Sequence, residues 1–466
     1  MARAGPRRVK VAVIGGGIAG LAAARRLEAL IPRVEIILLE SKWRIGGTIV
    51  TEQVNGFVIE GAPDSFLSRK ERGVGLCEEL GLGDELIGRR PENERSFVRR
   101  GRELHPLPLG LTGMIPTNLD ALAESELLSA EGRARLAAEV DIPPAPAAGD
   151  ESIASFVSRR LGKEAYEVLV EPLMTGIYGG DGEQLSLQAT FPNLLALELE
   201  HGSVLRGLTA QSPTDSAQPP FVTLRSGMES LVDSLAASLQ QTTIRAGFQP
   251  VAVRSLPGRY AVDVGGWIVQ AEGVVLAVPA FVTAKLLSAL DSELARAHAE
   301  IPYASSAIVT LAYAKADVGH PLDGYGYVVP RVEGSDVLAC TWTSSKWEHR
   351  APEGQALVRV YAGRFGGPDV ARRSKDSLVA LAREEVRVLG IKAEPHLVRV
   401  HRWPRAMPQY VLGHLERLER IETALEAHPG LALAGAAYRG VGIPDCIGSG
   451  EDAAESVARA LTRAAA

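Results

Sequence analysis

Val9-Lys10-Val11-Ala12-Val13-Ile14-Gly15-Gly16-Gly17-Ile18-Ala19-Gly20 is the stretch that decides the fold. Val9–Ile14 is short, apolar and rich in valine, as a buried parallel strand is. Gly15, Gly17 and Gly20 then match G-x-G-x-x-G, and residues Ile18–Leu30 have helix-forming composition. A second buried strand is expected over Val34–Leu39. Strand, glycine turn, helix and strand make a dinucleotide-binding βαβ unit. In such a unit Gly15 permits the tight turn. Gly17 removes a Cβ where a pyrophosphate must approach the backbone, and Gly20 lets the helix pack close to the strand. The helix start, with Ile18 and Ala19 in its first turn, turns free N–H groups and a positive dipole end toward phosphates. Glu40 ends the second strand, with Ser41 beside it, where a carboxylate can accept from ribose hydroxyls.

Downstream stands Arg44-Ile45-Gly46-Gly47-Thr48. This RxGG run after the ribose acid is typical of amine-oxidase-like flavoproteins and points to FAD rather than NAD. Its glycines allow loop backbone to lie along the cofactor, and Arg44 can meet phosphate or substrate charge. Glu60-Gly61-Ala62-Pro63-Asp64 follows as a turn passing the flavin. Near the other end, Gly435 and then Gly440-Val441-Gly442-Ile443 form a strand, a glycine corner and a helix start. Such a helix start places N–H dipoles near the flavin pyrimidine, which gains negative charge on reduction.

The bulk numbers set the frame. A chain of 466 residues should hold two or three domains. A net charge of −6 gives no reason to expect nucleic acid. Cys77, Cys340 and Cys446 form no CxxC pair, which suits a reduced, cytoplasmic chain. The nine histidines show no metal-ligand spacing, so no metal is expected. The basic start followed by an apolar run superficially looks like a signal peptide, but glycines cut the run short. No run of about 18 apolar residues reads as a spanning helix.

Between the two glycine regions the character changes twice. From Phe97 to about Gly149 the sequence reads as a helical insertion, with helical composition over Asn118–Val140 and breaks at Pro143, Pro144 and Pro146. Ile153–Leu169 reads as a further helix capped by Asp150 or Ser152. Gln211–Pro220 is polar and proline-rich, hence a surface loop. Ser306–Ala314, Tyr325–Val329, Val337–Thr343 and Ala356–Ala362 read as antiparallel strands of a second sheet, and Glu451–Leu461 as a closing helix.

Taken together, the sequence resembles the bacterial porphyrinogen oxidases of haem biosynthesis, protoporphyrinogen oxidase and coproporphyrinogen III oxidase. The broad strings are GGGIAGLAAA and RIGGTI. Others are EGAPDSFL, GRELHPLPLG, MIPTNL, LEHGSVLRG, SGMESLVDSL, RWPRAMPQY and GIPDCIGSG. DESIASFVSRRLG and EPLMTGIYGGDGEQLS are much narrower. The resemblance implies an α/β fold: a discontinuous Rossmann-like FAD domain over residues 1–90, 221–298 and 401–466. It implies an antiparallel-sheet substrate domain over 299–400 and a helical, membrane-facing insertion over 91–205. The implied FAD contacts are Gly15, Gly17, Ile18, Ala19, Gly20, Glu40, Ser41, Arg44, Gly46, Gly47, Gly61, Ala62, Pro63, Asp64, Val251, Trp403, Gly435, Val441, Gly442 and Ile443, with Trp403 near the isoalloxazine. Arg95 is implied as a carboxylate anchor, and Gly176, Ile177 and Tyr178 as tunnel wall.

The implied reaction is six-electron oxidation of a porphyrinogen with dioxygen as acceptor. Protoporphyrinogen IX to protoporphyrin IX is the leading reading and coproporphyrinogen III to coproporphyrin III the alternative. No catalytic acid or base is assigned, because hydride transfer to a flavin needs positioning and a dry site. The expected partners are the porphyrinogen and dioxygen. A membrane surface on the inner face of the cell, a neighbouring haem-pathway enzyme and a second copy of the chain are left open. Two rival readings remain at this point: another flavin amine oxidase or desaturase, and a non-enzymatic binding protein on the same fold.

Overall fold

In a computed structural model, which describes residues 8–145, 149–210 and 219–465, the opening strand Lys10–Ile14 is the middle member of a five-stranded parallel sheet. The order across the sheet is Thr242–Ala246, Glu35–Glu40, Lys10–Ile14, Gly273–Leu276 and Leu431–Leu433. Both faces of the central strands are covered, so these strands are apolar throughout rather than alternating. Val11 and Val13 pack against the helix Ile18–Leu30 and the closing helix Ile443–Ala465. Ala12 and Ile14 pack on the opposite side, against the meander Ala252–Leu256, Arg259–Asp263 and Ile268–Ala271. The two covering helices cross closely at Gly450. A Cβ there would come within 2.1 Å of the Ala19 carbonyl oxygen.

A seven-stranded sheet forms the second layer. Its order is Leu397–Pro408, Tyr303–Ala314, Gln355–Ala362, Val337–Trp342, Gly326–Val328, Phe97–Arg100 and Glu103–Pro106. All pairs are antiparallel except Gly326–Val328 with Phe97–Arg100. One side of this sheet is an apolar core built from Val309, Leu311, Val358, Val360 and Trp342. The other side carries Thr310, Arg359 and Tyr361 toward the cofactor half, where Arg359 meets the Ala62 carbonyl.

Residues 119–145 and 149–210 form a helical layer with its own core, including Leu136, Ile153, Phe156, Leu169, Met174 and Leu205. The sequence reading of residues 97–149 as helical is corrected at its start. Phe97–Arg100 and Glu103–Pro106 are strands of the second sheet. Four-residue strands flanked by arginine and proline carry too little periodicity to be read alone, and pairing with a distant strand decides them. The expected helix Ile153–Leu169 is also interrupted. Its first segment, Ile153–Leu161, is capped by Ser152, whose hydroxyl accepts from the Ser155 N–H. Gly162 then takes a φ of 99° and ends it. A short turn and a π-helical segment, Tyr166–Val170, lead into the helix Glu171–Tyr178. Asp150 has another task, accepting from the Ser186 hydroxyl and the Gly413 N–H. Most of the expected loop Gln211–Pro220, and Pro146, lie outside the described residues. Among the described residues no helix is long and apolar enough to cross a membrane.

Candidate active site

The glycine turn has the geometry its spacing demands. Gly15 has a φ of 110°, and a Cβ there would lie 2.2 Å from the Ala277 carbonyl oxygen. A Cβ on Gly20 would lie 1.9 Å from the Gly15 carbonyl oxygen, so the helix can sit this close to the turn only without a side chain. Gly17 differs. It caps the helix with no side-chain hydrogen bond, and its nearest obstacle to a Cβ is the Gly47 Cα at 3.9 Å. The first turn of that helix holds no acidic residue. Gly17 and Gly47 therefore lie in close backbone contact, and the half-buried patch they form beside the helix N–H groups carries no side chain of its own. That is the cradle a nucleotide diphosphate needs.

Glu40 is buried at the edge of this cradle. One carboxylate oxygen accepts from the Gly16 N–H at 2.8 Å and the other from the Lys42 N–H at 2.8 Å and the Ser41 hydroxyl. The oxygen that accepts from Gly16 has a further lone pair, so Glu40 can brace the turn and still receive a sugar hydroxyl. Arg44 acts on its own loop. Its guanidinium donates to the carbonyls of Ile45, Ile49 and Gly47, while the Gly46 N–H bonds the Gly16 carbonyl. Arg44 thus folds the RxGG run onto the glycine turn. Val251 is exposed, with its N–H on the Asp263 carbonyl.

The turn Gly61–Asp64 is held by side chains from far along the chain. The Trp403 indole donates to the Gly61 carbonyl at 2.9 Å, and Arg359 donates to the Ala62 carbonyl at 2.7 Å. A Cβ on Gly61 would press on the His401 ring at 3.0 Å. Asp64 is buried among cations: Lys346 at 3.2 Å and Arg359 at 3.5 Å, with the Trp347 indole also donating to it. Burial alone would raise the Asp64 carboxyl, but Lys346 and Arg359 outweigh it and hold the group well below the usual carboxylate range. The neighbouring Glu60 is pushed up by burial, against the pull of Arg350 at 3.3 Å. Both carboxylates of this turn thus serve the architecture.

Gly176 and Ile177 are exposed at the end of the helix Glu171–Tyr178, and Tyr178 is buried. That helix is pinned by Glu171, which accepts from Thr175 and from Arg364 at 3.0 Å. Arg95 lies exposed on the approach to the second sheet, paired with Asp323 at 3.2 Å. At the carboxyl end, Gly435 donates its N–H to the Ser449 hydroxyl, and the Gly442 N–H bonds Asp445. Val441 and Gly442 are half-buried, with Ile443 buried at the helix start. The three cysteines are free, and burial pushes the thiols of Cys77 and Cys446 up to about 12. That suits packing, not nucleophilic chemistry.

Sequence reading missed several residues of this region: Arg350, Arg359, Gln409, Tyr410 and His414, all buried and all hydrogen-bonded to backbone or stacked on a neighbour. Two signals were available. Val398 and Val400 alternate with Arg399 and His401 in a period-two pattern, and Leu415, Leu418, Ile421 and Leu425 recur at helical spacing after Gly413.

The bare patch at Gly17 and Gly47 and the turns at Gly61–Asp64 and Gly435–Ile443 fit an FAD. The model for flavin containing amine oxidoreductases matches residues 18–458. A coproporphyrinogen III oxidase of Bacillus subtilis (strain 168) is 36% identical over 97% of this chain and 98% of its own length. The chloroplastic protoporphyrinogen oxidase 1 of Spinacia oleracea is 30% identical over 96% of this chain and 83% of its own. A crystal structure from Exiguobacterium sp. 255-15 matches with a TM-score of 0.88 at 32% identity, covering 98% of this chain and 100% of that one.

Proposed function

The chain belongs to the flavin containing amine oxidoreductase family, with FAD as its cofactor, and from that premise we propose that it oxidises coproporphyrinogen III to coproporphyrin III with dioxygen as acceptor. The observation that carries the choice is the likeness to the Bacillus subtilis coproporphyrinogen III oxidase, end to end and at 36% identity. The chloroplastic protoporphyrinogen oxidase stands at 30%. The order of substrates expected from the sequence alone is thereby reversed.

When bound, FAD supplies the two-electron acceptor that takes hydride from the substrate. Overall, six electrons would leave the macrocycle and three dioxygen molecules would be reduced to hydrogen peroxide. The residues of this chain have the quieter tasks. Gly17, Gly47 and the first helix hold the diphosphate, and Glu40 holds the sugar. Trp403 and Arg359 fix the Gly61–Asp64 turn against which the flavin lies. The Glu171 helix presents Gly176, Ile177 and Tyr178 as a wall, excluding water from the reacting edge. Glu60 and Asp64 are committed to Arg350, Lys346 and Arg359. Rate therefore rests on placement rather than on proton transfer by a side chain.

Both porphyrinogens should be assayed side by side under air, reading porphyrin fluorescence. The expected outcome is a kcat/KM for coproporphyrinogen III at least about tenfold above that for protoporphyrinogen IX, a difference of about 1.4 kcal/mol. Preference for protoporphyrinogen IX would reverse the assignment. Silence with both, alongside turnover of an amine, would remove it.

A further inference from the structure

A short segment leads from the second sheet into the helix His414–Leu425, and two buried side chains, Tyr410 in the segment and His414 at the helix start, grip the loop Gly435–Gly440 from one side. The Tyr410 hydroxyl donates to the Ala436 carbonyl at 2.7 Å and accepts from the Gly440 N–H at 2.8 Å. One hydroxyl thus spans both ends of the loop. His414 reaches its middle, with Nε2 2.9 Å from the Tyr438 carbonyl oxygen. Since that oxygen can only accept, Nε2 carries the hydrogen. The two rings stack, centroids 4.2 Å apart and planes within 13°. Tyr410 is 1% exposed and His414 not at all, so these bonds are made away from water.

The same segment reaches the other way. The Tyr410 ring leans on Tyr178, centroids 6.2 Å apart, and Tyr178 meets Phe191 edge to face. The neighbouring Gln409 donates to the Tyr178 carbonyl at 2.9 Å, and the Ser186 N–H bonds the Tyr410 carbonyl. An aromatic chain, Phe191–Tyr178–Tyr410–His414, therefore connects the wall helix Glu171–Tyr178 to the Gly435–Gly440 loop. We propose that the stacked Tyr410–His414 pair is a positioning clamp: it holds the Ala436–Gly440 backbone in place at the flavin and ties it to the substrate wall. The proposal rests on the reading that FAD lies along Gly435–Ile443. Burial keeps the His414 ring neutral by pulling it down to about 4, which preserves the single N–H that the clamp uses.

Neither residue touches the reacting atoms, so the test must read the flavin. Holoenzyme carrying Tyr410→Phe keeps the ring and loses both hydroxyl bonds, and His414→Phe keeps the stack and loses the bond to Tyr438. Tyr260→Phe is the control, a buried tyrosine whose hydroxyl holds the Pro429 carbonyl on another segment. For Tyr410→Phe we expect a shifted visible flavin band, a changed flavin midpoint potential, and kcat down about tenfold with KM within about twofold. His414→Phe should move the same readouts in the same direction by less, and Tyr260→Phe should match the native enzyme. Native spectrum, potential and kcat in both clamp variants would overturn the clamp alone. A native chain that takes up no flavin would overturn the cofactor reading and the clamp with it. If neither variant folds, hydrogen exchange on the native enzyme decides. The Gly440 amide must exchange slowly with FAD bound and with FAD stripped, and rapid exchange in the stripped protein overturns the clamp.

Discussion

The two ends of the proposed cofactor site are built by different means. At the diphosphate end, the shape comes from residues that lack side chains. Gly15, Gly17 and Gly20 lie within six positions, and one carboxylate, Glu40, braces the turn through the Gly16 N–H. At the flavin end, backbone turns are held by long side chains arriving from other layers. Trp403 holds Gly61, Arg359 holds Ala62, Lys346 holds Asp64, and Tyr410 holds Ala436 and Gly440. A local steric rule makes the first end, and tertiary packing makes the second. The first should therefore fail abruptly when altered. The second should fail by degrees, each support contributing its own share.

The sharpest contrast lies within the glycine turn itself. Gly20→Ala drives a Cβ to 1.9 Å from backbone oxygen, where no side-chain rotation relieves it. The expected loss exceeds about 4 kcal/mol, with no yellow protein recovered. Gly17→Ala meets nothing nearer than 3.9 Å, so it should fold within about 1 kcal/mol of native, the usual scale for a helix-cap change. Its methyl instead projects toward Gly47 on the patch proposed for the diphosphate, and FAD affinity should fall at least about a hundredfold, about 2.7 kcal/mol. Denaturant melts and flavin titration separate the two. A Gly17→Ala protein that holds FAD at native affinity would show that this patch is not where the diphosphate lies.

At the flavin end the largest single effect should come from Asp64→Asn. The change keeps the volume but leaves Lys346 and Arg359 buried without their anion. Breaking a buried pair in this way costs about 3–5 kcal/mol, read as a lower midpoint in urea. The pH dependence has a definite sign. The folded-state carboxyl is held below its ordinary value of 3.8, so acid protonates the unfolded chain first. Its stabilisation is complete above about pH 4 and is lost as pH falls further, and Asp64→Asn should flatten that part of the acid limb. An unchanged acid limb would mean that the Asp64 cluster is not what couples this turn to the second sheet.

The same contrast explains what could be read from the sequence. The Rossmann half was legible because its rules are short-range: apolar strands, a fixed glycine spacing, and an acid at the end of the second strand. Gly15 and Gly20 do what their spacing said. The Phe97–Pro106 strands were not legible, because only pairing with Gly326–Val328 across the sheet makes them strands. Arg359 looked like one arginine among many. Its importance comes from complete burial beside Asp64 and Ala62, residues almost three hundred positions away. Tyr410 and His414 carried no motif of their own either. Arg44 was legible as part of the site but not in its task, since nothing in RIGG says whether the guanidinium turns outward to charge or inward to carbonyls.

Arg95 gives the smallest effect and tests how far a resemblance carries a side-chain role. Its partner Asp323 is half-buried and Arg95 itself exposed, and such solvent-accessible pairs contribute about 0–1 kcal/mol to stability. Arg95→Ala should therefore melt within about 0.5 kcal/mol of the native protein. If Arg95 serves as an anchor, a substrate carboxylate replaces Asp323 at the guanidinium on binding, one anion for another, so the net gain is small by construction. KM should rise about three- to tenfold, with kcat unchanged, because the contact lies far from the reacting carbon and is equal in ground and transition states. Asp323→Asn sharpens the point by freeing Arg95 from its resident anion, and it should lower KM rather than raise it. If KM is the same in all three proteins, Arg95 and Asp323 are a surface ion pair, and the substrate carboxylates are held elsewhere.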